Sequence, residues 1–162
     1  METFEQQGHD SVAVANRFIA IARGNGVPIC SLTKLIKLVY IAHGYYLALR
    51  DRNLIRDEVQ AWQYGPVIPR VHQAFKRFPA LPEPLEEKPT NSEELDADSL
   101  GIIESVYNNY GRFNYHKLLQ ITHKQDTPWY IVHQREGNKG GVIETGLIQE
   151  YYYNLLENSG SD

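Results

Sequence analysis

The sequence predicts a mainly α-helical protein: one compact helical domain around a buried central helix, with a small β element of short strands. The chain has 162 residues, of which 42% are hydrophobic and 22% charged, which is enough apolar material for a single core. Apolar residues recur at helical spacing in most segments. The segment 32–49 is apolar on two faces, as expected of a helix that other helices surround.

The first two helices have clear boundaries. Helical spacing extends over 12–23, where Asp10 or Ser11 can cap the helix and Gly24-Asn25-Gly26 ends it. Ser31 can cap the central helix over 32–49. Gly44 lies inside that helix and costs about 1 kcal/mol of helix propensity relative to alanine. A close crossing of another element would explain a glycine there.

A short β element and a third helix follow. Polar and apolar residues alternate over 58–63, which predicts a short strand. The next stretch, 64–69, reads as a stiff turn. Pro66 or Pro69 suits the first turn of a helix, which is expected to extend to about Phe78.

Four further helices are predicted in the second half. One starts at Asp96 or Asp98 and ends at Gly111. Asn114 can cap the next, over 115–123. Thr127-Pro128-Trp129 has the order of a cap, a first helical residue and an anchor. A loop covers 137–141, and Thr145 is expected to cap a last helix that ends at Leu156.

The chain is expected to form a single domain over 11–156, with flexible ends at 1–10 and 157–162. The region of about 79–95 contains four prolines and several glutamates, so it is expected to be an extended or mobile surface loop. Neither side of this loop has enough apolar residues of its own to form a separate domain.

Charge and cysteine content favour a cytoplasmic protein. The formal net charge is −4, which provides no general attraction for nucleic acid. The first 80 residues carry ten Lys/Arg and six Asp/Glu, whereas the other 82 carry six Lys/Arg and fourteen Asp/Glu. The acidic excess of the second part lies either in a loop and on solvated helix faces, or on a bipolar surface that orients a partner. Cys30 is the one cysteine, which fits a reducing compartment. Lys34, Lys37 and His43 interrupt the most apolar run, which argues against a membrane span.

Sequence patterns for catalysis or metal binding are absent. His116 and His123 are two helical turns apart, which places them roughly 10 Å apart along the axis, too far for both to bind one ion. There is no Gly-x-Ser-x-Gly motif, no phosphate-binding loop and no metal-ligand spacing. We therefore expect no enzyme activity, no cofactor and no metal. A hydrolase that uses His43 or His123 is the minor alternative.

Aromatic residues give the strongest signal for binding. Trp62 and Trp129 each adjoin a proline-marked turn, where a large ring can anchor the turn to the core or border a groove for a partner. The chain has 11 tyrosines. Neighbours on a helix differ by about 100°, so 151–153 cannot all point inward. Because tyrosine is enriched at protein interfaces, Tyr151 and Tyr152 are candidates for partner binding.

Three stretches together resemble a known family. The first is 32–48, with the sequence LTKLIKLVYIAHGYYLA, and the second is 58–69, with the sequence EVQAWQYGPVIP. The third combines Thr122-His123, Pro128-Trp129 and a terminal helix that carries Tyr151-Tyr152. Their order and spacing are similar to those of the Panacea domain, or SocA-like antitoxin domain, which is often found in prophages. The resemblance covers roughly 11–156.

The resemblance implies a compact, mostly helical fold and an antitoxin that binds and blocks a cognate toxin. One branch of the family is described as a proteolytic adaptor that delivers its toxin to a cytosolic protease. A prophage-encoded interaction module without a toxin is a further alternative. The matched residues are expected to serve the fold or a groove rather than catalysis, and they are His43, Trp62, Tyr64, Gly65, Pro66, His123 and Trp129. The chain departs from the family at Val71-His72, where a tyrosine is expected. No appended DNA-binding region is expected, so autoregulation by this chain alone is not expected either.

Overall fold

The computed structural model describes residues 8–77, 82–90 and 94–159, and it confirms a mainly α-helical fold. The helices are α1 (Ser11–Gly24), α2 (Leu32–Arg50), α3 (Pro69–Phe75), α4 (Ala97–Tyr110), α5 (Tyr115–His123), α6 (Pro128–Tyr130) and α7 (Thr145–Ser159). The short α6 continues into a π-helical turn over Ile131–Arg135. Two strands, β1 (Gln60–Trp62) and β2 (Gly65–Val67), form an antiparallel hairpin.

Local capping fixes several helix starts where the sequence predicts them. The Asp10 carboxylate accepts from the Val12 N–H at 3.0 Å, and the Ser31 hydroxyl accepts from the Lys34 N–H at 3.1 Å. Asn114 caps α5, and Thr127 caps α6. Helix α7 begins at Thr145 itself and extends to Ser159, three residues beyond the predicted end at Leu156.

Helix α2 is the centre of the core. All residues from 35 to 44 are buried, so this part of the helix has no solvent-facing side. It packs against α1, α4, α5 and α7. Gly44 lies where α7 crosses: a Cβ at this position would be 2.2 Å from the ring of Tyr152. The predicted reason for a glycine inside this helix, a close crossing, is therefore confirmed.

The β element is larger than predicted, because part of the expected stiff turn is a strand. Gln63 and Tyr64 form the turn, and β2 pairs with β1 in the register Gln60↔Val67, Ala61↔Pro66 and Trp62↔Gly65. On its other side, β1 contacts the loop before α7, where the Ala61 N–H donates to the Gly141 carbonyl at 2.8 Å. Strand β2 is thus an edge strand, the position where a sheet tolerates proline.

The start of the described chain contacts the segment that follows α2. Residues 8–10 belong to the segment 1–10. His9 pairs with Ile55: the His9 N–H donates to the Leu54 carbonyl at 2.8 Å, and the Arg56 N–H donates to the His9 carbonyl at 2.9 Å. Asp10 is buried and forms an ion pair with Arg70 at 2.9 Å. The rest of that segment, 1–7, lies outside the described residues, as does 160–162.

The described residues of the proline- and glutamate-rich loop, 82–90, contain no helix or strand and contact the helical body. Leu85 is buried, and its N–H donates to the Ile29 carbonyl at 2.8 Å. Nη1 and Nη2 of Arg23 on α1 donate to the two carboxylate oxygens of Glu87, each at 2.6 Å. The predicted end of α3 at Phe78 lies outside the described residues, and α3 ends at Phe75.

Of the helices in the described ranges, none combines the length and the apolar character that crossing a bilayer requires.

Candidate partner-binding surface

A groove opens between the hairpin and the N-terminal half of α2, with a volume of about 370 Å³. We call it the hairpin groove. Its lining comprises Leu32, Thr33, Ile36 and Lys37 from α2, Trp62, Gln63, Tyr64 and Val67 from the hairpin, and His72 from α3. The turn residue Tyr64 lies at this groove with 66% of its surface exposed.

Trp129 holds the hairpin from the α6 side. Its ring is 5% exposed, and its indole N–H donates to the carbonyl oxygen of Trp62 at 2.6 Å. The ring lies between two histidines: His133 stacks on it at a centroid distance of 4.6 Å, and His123 lies 5.4 Å away. The prediction that Trp129 is a buried anchor next to its proline turn is confirmed.

Trp62 differs from that prediction because it is only half-buried. Its indole N–H donates to the Gln60 side-chain oxygen at 2.9 Å, and its ring packs edge-on against His72 at a centroid distance of 5.1 Å. The family resemblance anticipates a tyrosine near Val71-His72. The structure shows that His72 takes part in this wall of the groove.

Lys37 holds the hairpin from the α2 side. It is 1% exposed, and its Nζ donates to the Pro66 carbonyl at 2.8 Å. In the hairpin, Pro66 is opposite Ala61, whose own N–H bonds to Gly141 instead. The Pro66 carbonyl therefore points away from β1, toward α2, and the missing N–H of proline costs no bond in the hairpin.

Gly65 permits this close approach. It has φ +102, a backbone conformation that disfavours other residues, and a Cβ here would lie 3.1 Å from Nζ of Lys37 and 3.0 Å from Leu119 on α5. The Trp-x-Tyr-Gly-Pro sequence therefore has a physical explanation: the two rings shape the groove, the glycine allows contact with α2, and the proline stiffens the edge.

Burial lowers the pKa of Lys37 to about 7. Among the described residues, no carboxylate pairs with its ammonium. Lys37 was not predicted as a site residue, because in the sequence it counts only as an interruption of an apolar run. One feature of the sequence could have indicated its burial: Lys37 lies between Ile36 and Leu38 in a helix that is apolar on two faces.

The other candidate residues lie elsewhere. His43 is 1% exposed, and burial lowers its pKa to about 3. The Ile55 N–H approaches its Nδ1 at 3.5 Å. A neutral imidazole enclosed in the core serves the fold.

The tyrosines of α7 divide between core and surface, as predicted for neighbours on a helix. Tyr152 is 2% exposed and packs between Tyr40 and Tyr45, so its ring cannot itself contact a partner in this structure. Tyr151 is half-buried. Tyr153, which was not among the candidates, is 52% exposed.

A larger groove of about 460 Å³ lies between α2, α4 and α7 and contains Tyr45, Leu49, Tyr110 and Leu156 in its lining. The hydroxyl groups of Tyr45 and Tyr110 bond to each other at 2.7 Å. Ser105 and Asn109 on α4 add further polar groups to the lining of this groove.

One cluster contains the residue types of a hydrolytic triad. His9 Nε2 lies 3.2 Å from both Asp96 Oδ1 and Ser99 Oγ, and Ser99 Oγ also bonds directly to Asp96. In a working triad, opposite ring nitrogens contact the acid and the nucleophile. Here one nitrogen makes both contacts and Ser99 is fully buried, so the arrangement ties the start of α4 to the chain before α1 instead of activating a nucleophile. Within the described residues, no group of three His, Cys, Asp or Glu side chains is placed to hold a metal ion.

Comparison with known proteins gives the same assignment as the sequence resemblance. Residues 35–130 match the family described as Antitoxin SocA-like, Panacea domain. This match spans most of α2, the hairpin and α6, and thus all of the groove apart from its edge at Leu32 and Thr33.

Antitoxin SocA of Caulobacter vibrioides (strain NA1000 / CB15N) is a curated relative. It is 29% identical over 151 residues, which cover 86% of this chain and 79% of the relative. No solved structure matches this chain. The match over more than half of the chain establishes that this protein belongs to the SocA-like antitoxin family of Panacea domains.

Proposed function

We propose that this protein is an antitoxin that neutralises a cognate toxin by binding it directly, with the hairpin groove and its turn as the contact surface. The observation that carries the proposal is that the family's matched segment contains an exposed hairpin turn together with the residues that hold it in place. Residues 35–130 contain the groove apart from its edge at Leu32 and Thr33, the turn, and the tryptophan that holds the turn in place. The relative's name, Antitoxin SocA, supplies the functional class.

The turn has the physical properties of a binding surface. Tyr64 offers a large ring and a polar tip with few rotatable bonds, a combination that is favoured at protein interfaces. Trp129 and Lys37 hold the backbone of the hairpin from opposite sides. A surface that is ordered before binding loses less entropy when the complex forms.

The proposal places the protein in the cytoplasm, where its single cysteine would stay reduced. It includes no catalytic step. The burial of His43, the packing of His123 against the Trp129 ring, and the contact of His9 with both Asp96 and Ser99 through one ring nitrogen support this part of the proposal.

The test is a co-expression rescue. The gene next to the one for this protein is induced in a bacterial host with and without this protein, and survival and co-purification are scored together. Relief of toxicity with a co-eluting complex is the expected result. Relief without a complex, together with loss of the toxin protein, would replace direct inhibition with delivery to a cytosolic protease. If every neighbouring gene proves harmless and no toxin is retrieved, the antitoxin proposal is contradicted in favour of a prophage interaction module.

The same assay should be repeated with Tyr64→Ala and with Tyr153→Ala. Both side chains are exposed, so neither change should unfold the protein. Loss of rescue with Tyr64→Ala alone would locate the contact at the hairpin. Loss with Tyr153→Ala alone would move it to α7.

A further inference from the structure

Carboxylates are missing from the segments that meet at the hairpin. The ranges 27–50, 59–82 and 105–125 contain nine of the 16 Lys and Arg residues of the chain and none of its 20 Asp and Glu residues. These ranges include α2, both strands of the hairpin, α3 and α5. By contrast, 140–162, which includes α7, has no Lys or Arg. The uneven charge of the sequence is therefore also a difference between structural elements, with cations in excess around the hairpin.

Three cations gather around Phe113 in the connection between α4 and α5, and we call them, with this ring, the basic patch. The Arg112 guanidinium lies over the Phe113 ring at 5.1 Å from its centroid, and Lys117 Nζ lies at 6.0 Å. Lys34 Nζ on α2 donates to the Gly111 carbonyl at 2.6 Å. Among the residues that the structure describes, no carboxylate lies within ion-pair distance of these cations. Their like charges are therefore not neutralised by the described chain.

The basic patch lies beside the turn of the hairpin. A Cβ at Gly65, the residue that follows the turn, would be 3.1 Å from Lys37 Nζ and 3.0 Å from Leu119. Lys34 is one helical turn from Lys37 on α2, and Tyr115 is one turn from Leu119 on α5. Residues at this spacing have Cβ atoms about 5–6 Å apart. The patch therefore adjoins the surface that the proposed function assigns to the toxin.

Exposed aromatic rings accompany these charges. Tyr64 is 66% exposed and Tyr115 is 40% exposed, and Arg112 and Lys117 are both exposed. Tyrosine and arginine are enriched at protein interfaces, because each combines a planar group of large contact area with polar atoms. A partner that fits this surface offers carboxylates to the cations and apolar area to the rings.

We infer that the basic patch and the hairpin turn together receive an acidic surface of the partner protein, whose carboxylates pair with Arg112 and Lys117. The half-buried Lys34 adds its charge to their field. The identity of the partner as a toxin rests on the proposed function, whereas the charge of the patch does not. Complementary charges of this kind steer the encounter and fix the orientation of the complex.

A nucleic acid fits the patch less well than an acidic protein does. Binding to a nucleic acid depends on the neutralisation of many phosphates. Three cations are few for that purpose on a chain whose formal net charge is −4.

The first test needs no toxin. The full chain, labelled with ¹⁵N, is titrated at low salt with an acetylated and amidated peptide of four Glu-Gly repeats, and with a matched peptide that has Gln in place of Glu. The acidic peptide should give saturable shifts of the backbone amide resonances in 111–117 and at Tyr64, and little change in Thr145–Ser159. The neutral peptide should bind about fivefold or more weakly, since two exposed ion pairs together contribute about that factor.

Charge reversal identifies the groups responsible. Arg112→Glu combined with Lys117→Glu should abolish the response to the acidic peptide. Lys76→Glu combined with Lys88→Glu is the matched control, since it changes the net charge equally, and these two exposed lysines line a separate hollow together with two glutamates. The control should change the affinity by less than about twofold, because salt screens distant surface charges.

Two further variants keep the test decisive if charge reversal disturbs the fold, which circular dichroism would reveal. Arg112→Gln combined with Lys117→Gln removes the charges without adding carboxylates and should also abolish the response. Arg112→Lys combined with Lys117→Arg keeps both charges and should retain it.

The second test uses the toxin that the rescue assay retrieves. The association rate constant of the complex should fall about tenfold or more when Arg112→Glu and Lys117→Glu are combined, while the dissociation rate constant changes less, since complementary charge acts mainly on the encounter. The association rate constant of the wild-type complex should also fall as NaCl is raised from about 50 to about 500 mM.

Equal binding of the two peptides, a response that persists in both charge-removing variants, or no response at millimolar peptide would overturn the inference. Tighter binding of an oligothymidylate with the same number of charges as the acidic peptide would contradict a protein partner. Salt-sensitive self-association in sedimentation, lost on charge reversal, would assign the patch to a second copy of this chain instead. The peptide titration and the rescue assay fail independently, since a negative titration leaves the antitoxin proposal intact and a failed rescue leaves the charge preference of the patch measured.

Discussion

The indole N–H of Trp129 donates to the carbonyl oxygen of Trp62 at 2.6 Å, which joins residues 67 positions apart in the chain. Trp129 is buried and Trp62 is half-buried at the groove. One tryptophan therefore positions the backbone of the other. The consequence is that the signature residues of α6 and of the hairpin act as one structural unit.

Trp129→Phe should lower the free energy of unfolding by roughly 1–3 kcal/mol, because it keeps an aromatic ring but leaves the Trp62 carbonyl without its donor. Urea unfolding followed by far-UV circular dichroism measures the change. An unchanged midpoint and slope would show that the hydrogen bond does not stabilise the hairpin.

Gly44→Ala should destabilise the protein by about 1–3 kcal/mol, since the new methyl group would lie 2.2 Å from the Tyr152 ring in the most buried helix. Gly101→Ala is the matched control. Gly101 is a glycine in α4 with no atom within 4 Å of its would-be Cβ, so alanine there should be neutral or stabilise by up to about 1 kcal/mol. Thermal melts of the two variants should thus shift in different directions. Equal shifts would contradict the close crossing of α2 and α7.

Tyr152→Ala and Tyr153→Ala should distinguish a residue of α7 that stabilises the core from a neighbour that faces solvent. Removal of the buried Tyr152 ring should cost about 3–5 kcal/mol, as expected for loss of a core aromatic. Removal of the exposed Tyr153 ring should change stability by less than about 0.5 kcal/mol. Chemical denaturation of both variants provides the comparison, and a large loss from Tyr153→Ala would be inconsistent with the observed placement of α7.

Lys37 should make stability depend on pH in a way that Lys37→Met removes. Its pKa is about 7 in the folded protein, against an ordinary value of 10.5 for a solvated lysine. Between these values the unfolded chain binds more protons, so the contribution of Lys37 to stability rises with pH, by up to about 1.4 kcal/mol per pH unit. Urea unfolding of the wild-type protein and of Lys37→Met near pH 7, 8 and 9 gives the difference between their free energies of unfolding at each pH. The titration of the tyrosines affects both proteins alike and cancels from this difference. A difference that stays constant with pH would contradict the burial of a titrating lysine.

Elements defined by neighbouring residues were predictable from the sequence. Helical periodicity located α2, and the side chains of Ser31, Asn114 and Thr127 marked helix starts because a cap bonds to residues only two or three positions away. Gly44 indicated a crossing because glycine inside a buried helix has a propensity cost that a close neighbour offsets. The caps were predictable because they depend on interactions between neighbouring residues. The crossing at Gly44 was predictable because the residue type itself indicates it.

Elements defined by distant pairs were not predictable. Strand β2 was missed because Gly65 and Pro66 are typical turn residues, and only the contact with α2 accounts for them within a strand. The 82–90 loop contacts the helical body through distant pairs, Leu85 with Ile29 and Glu87 with Arg23, which single-sequence patterns do not reveal. Lys37 was missed because lysine in a helix normally faces solvent, and its burial follows from the hairpin that covers it.

The most direct test of binding at the hairpin groove is hydrogen–deuterium exchange of the purified protein with and without the toxin that the rescue assay retrieves. Direct binding there predicts slower exchange of the amides in 60–67 and at the N-terminal end of α2, with little change in Thr145–Ser159. Protection confined to α7 and the groove between α2, α4 and α7, with the hairpin unaffected, would contradict it.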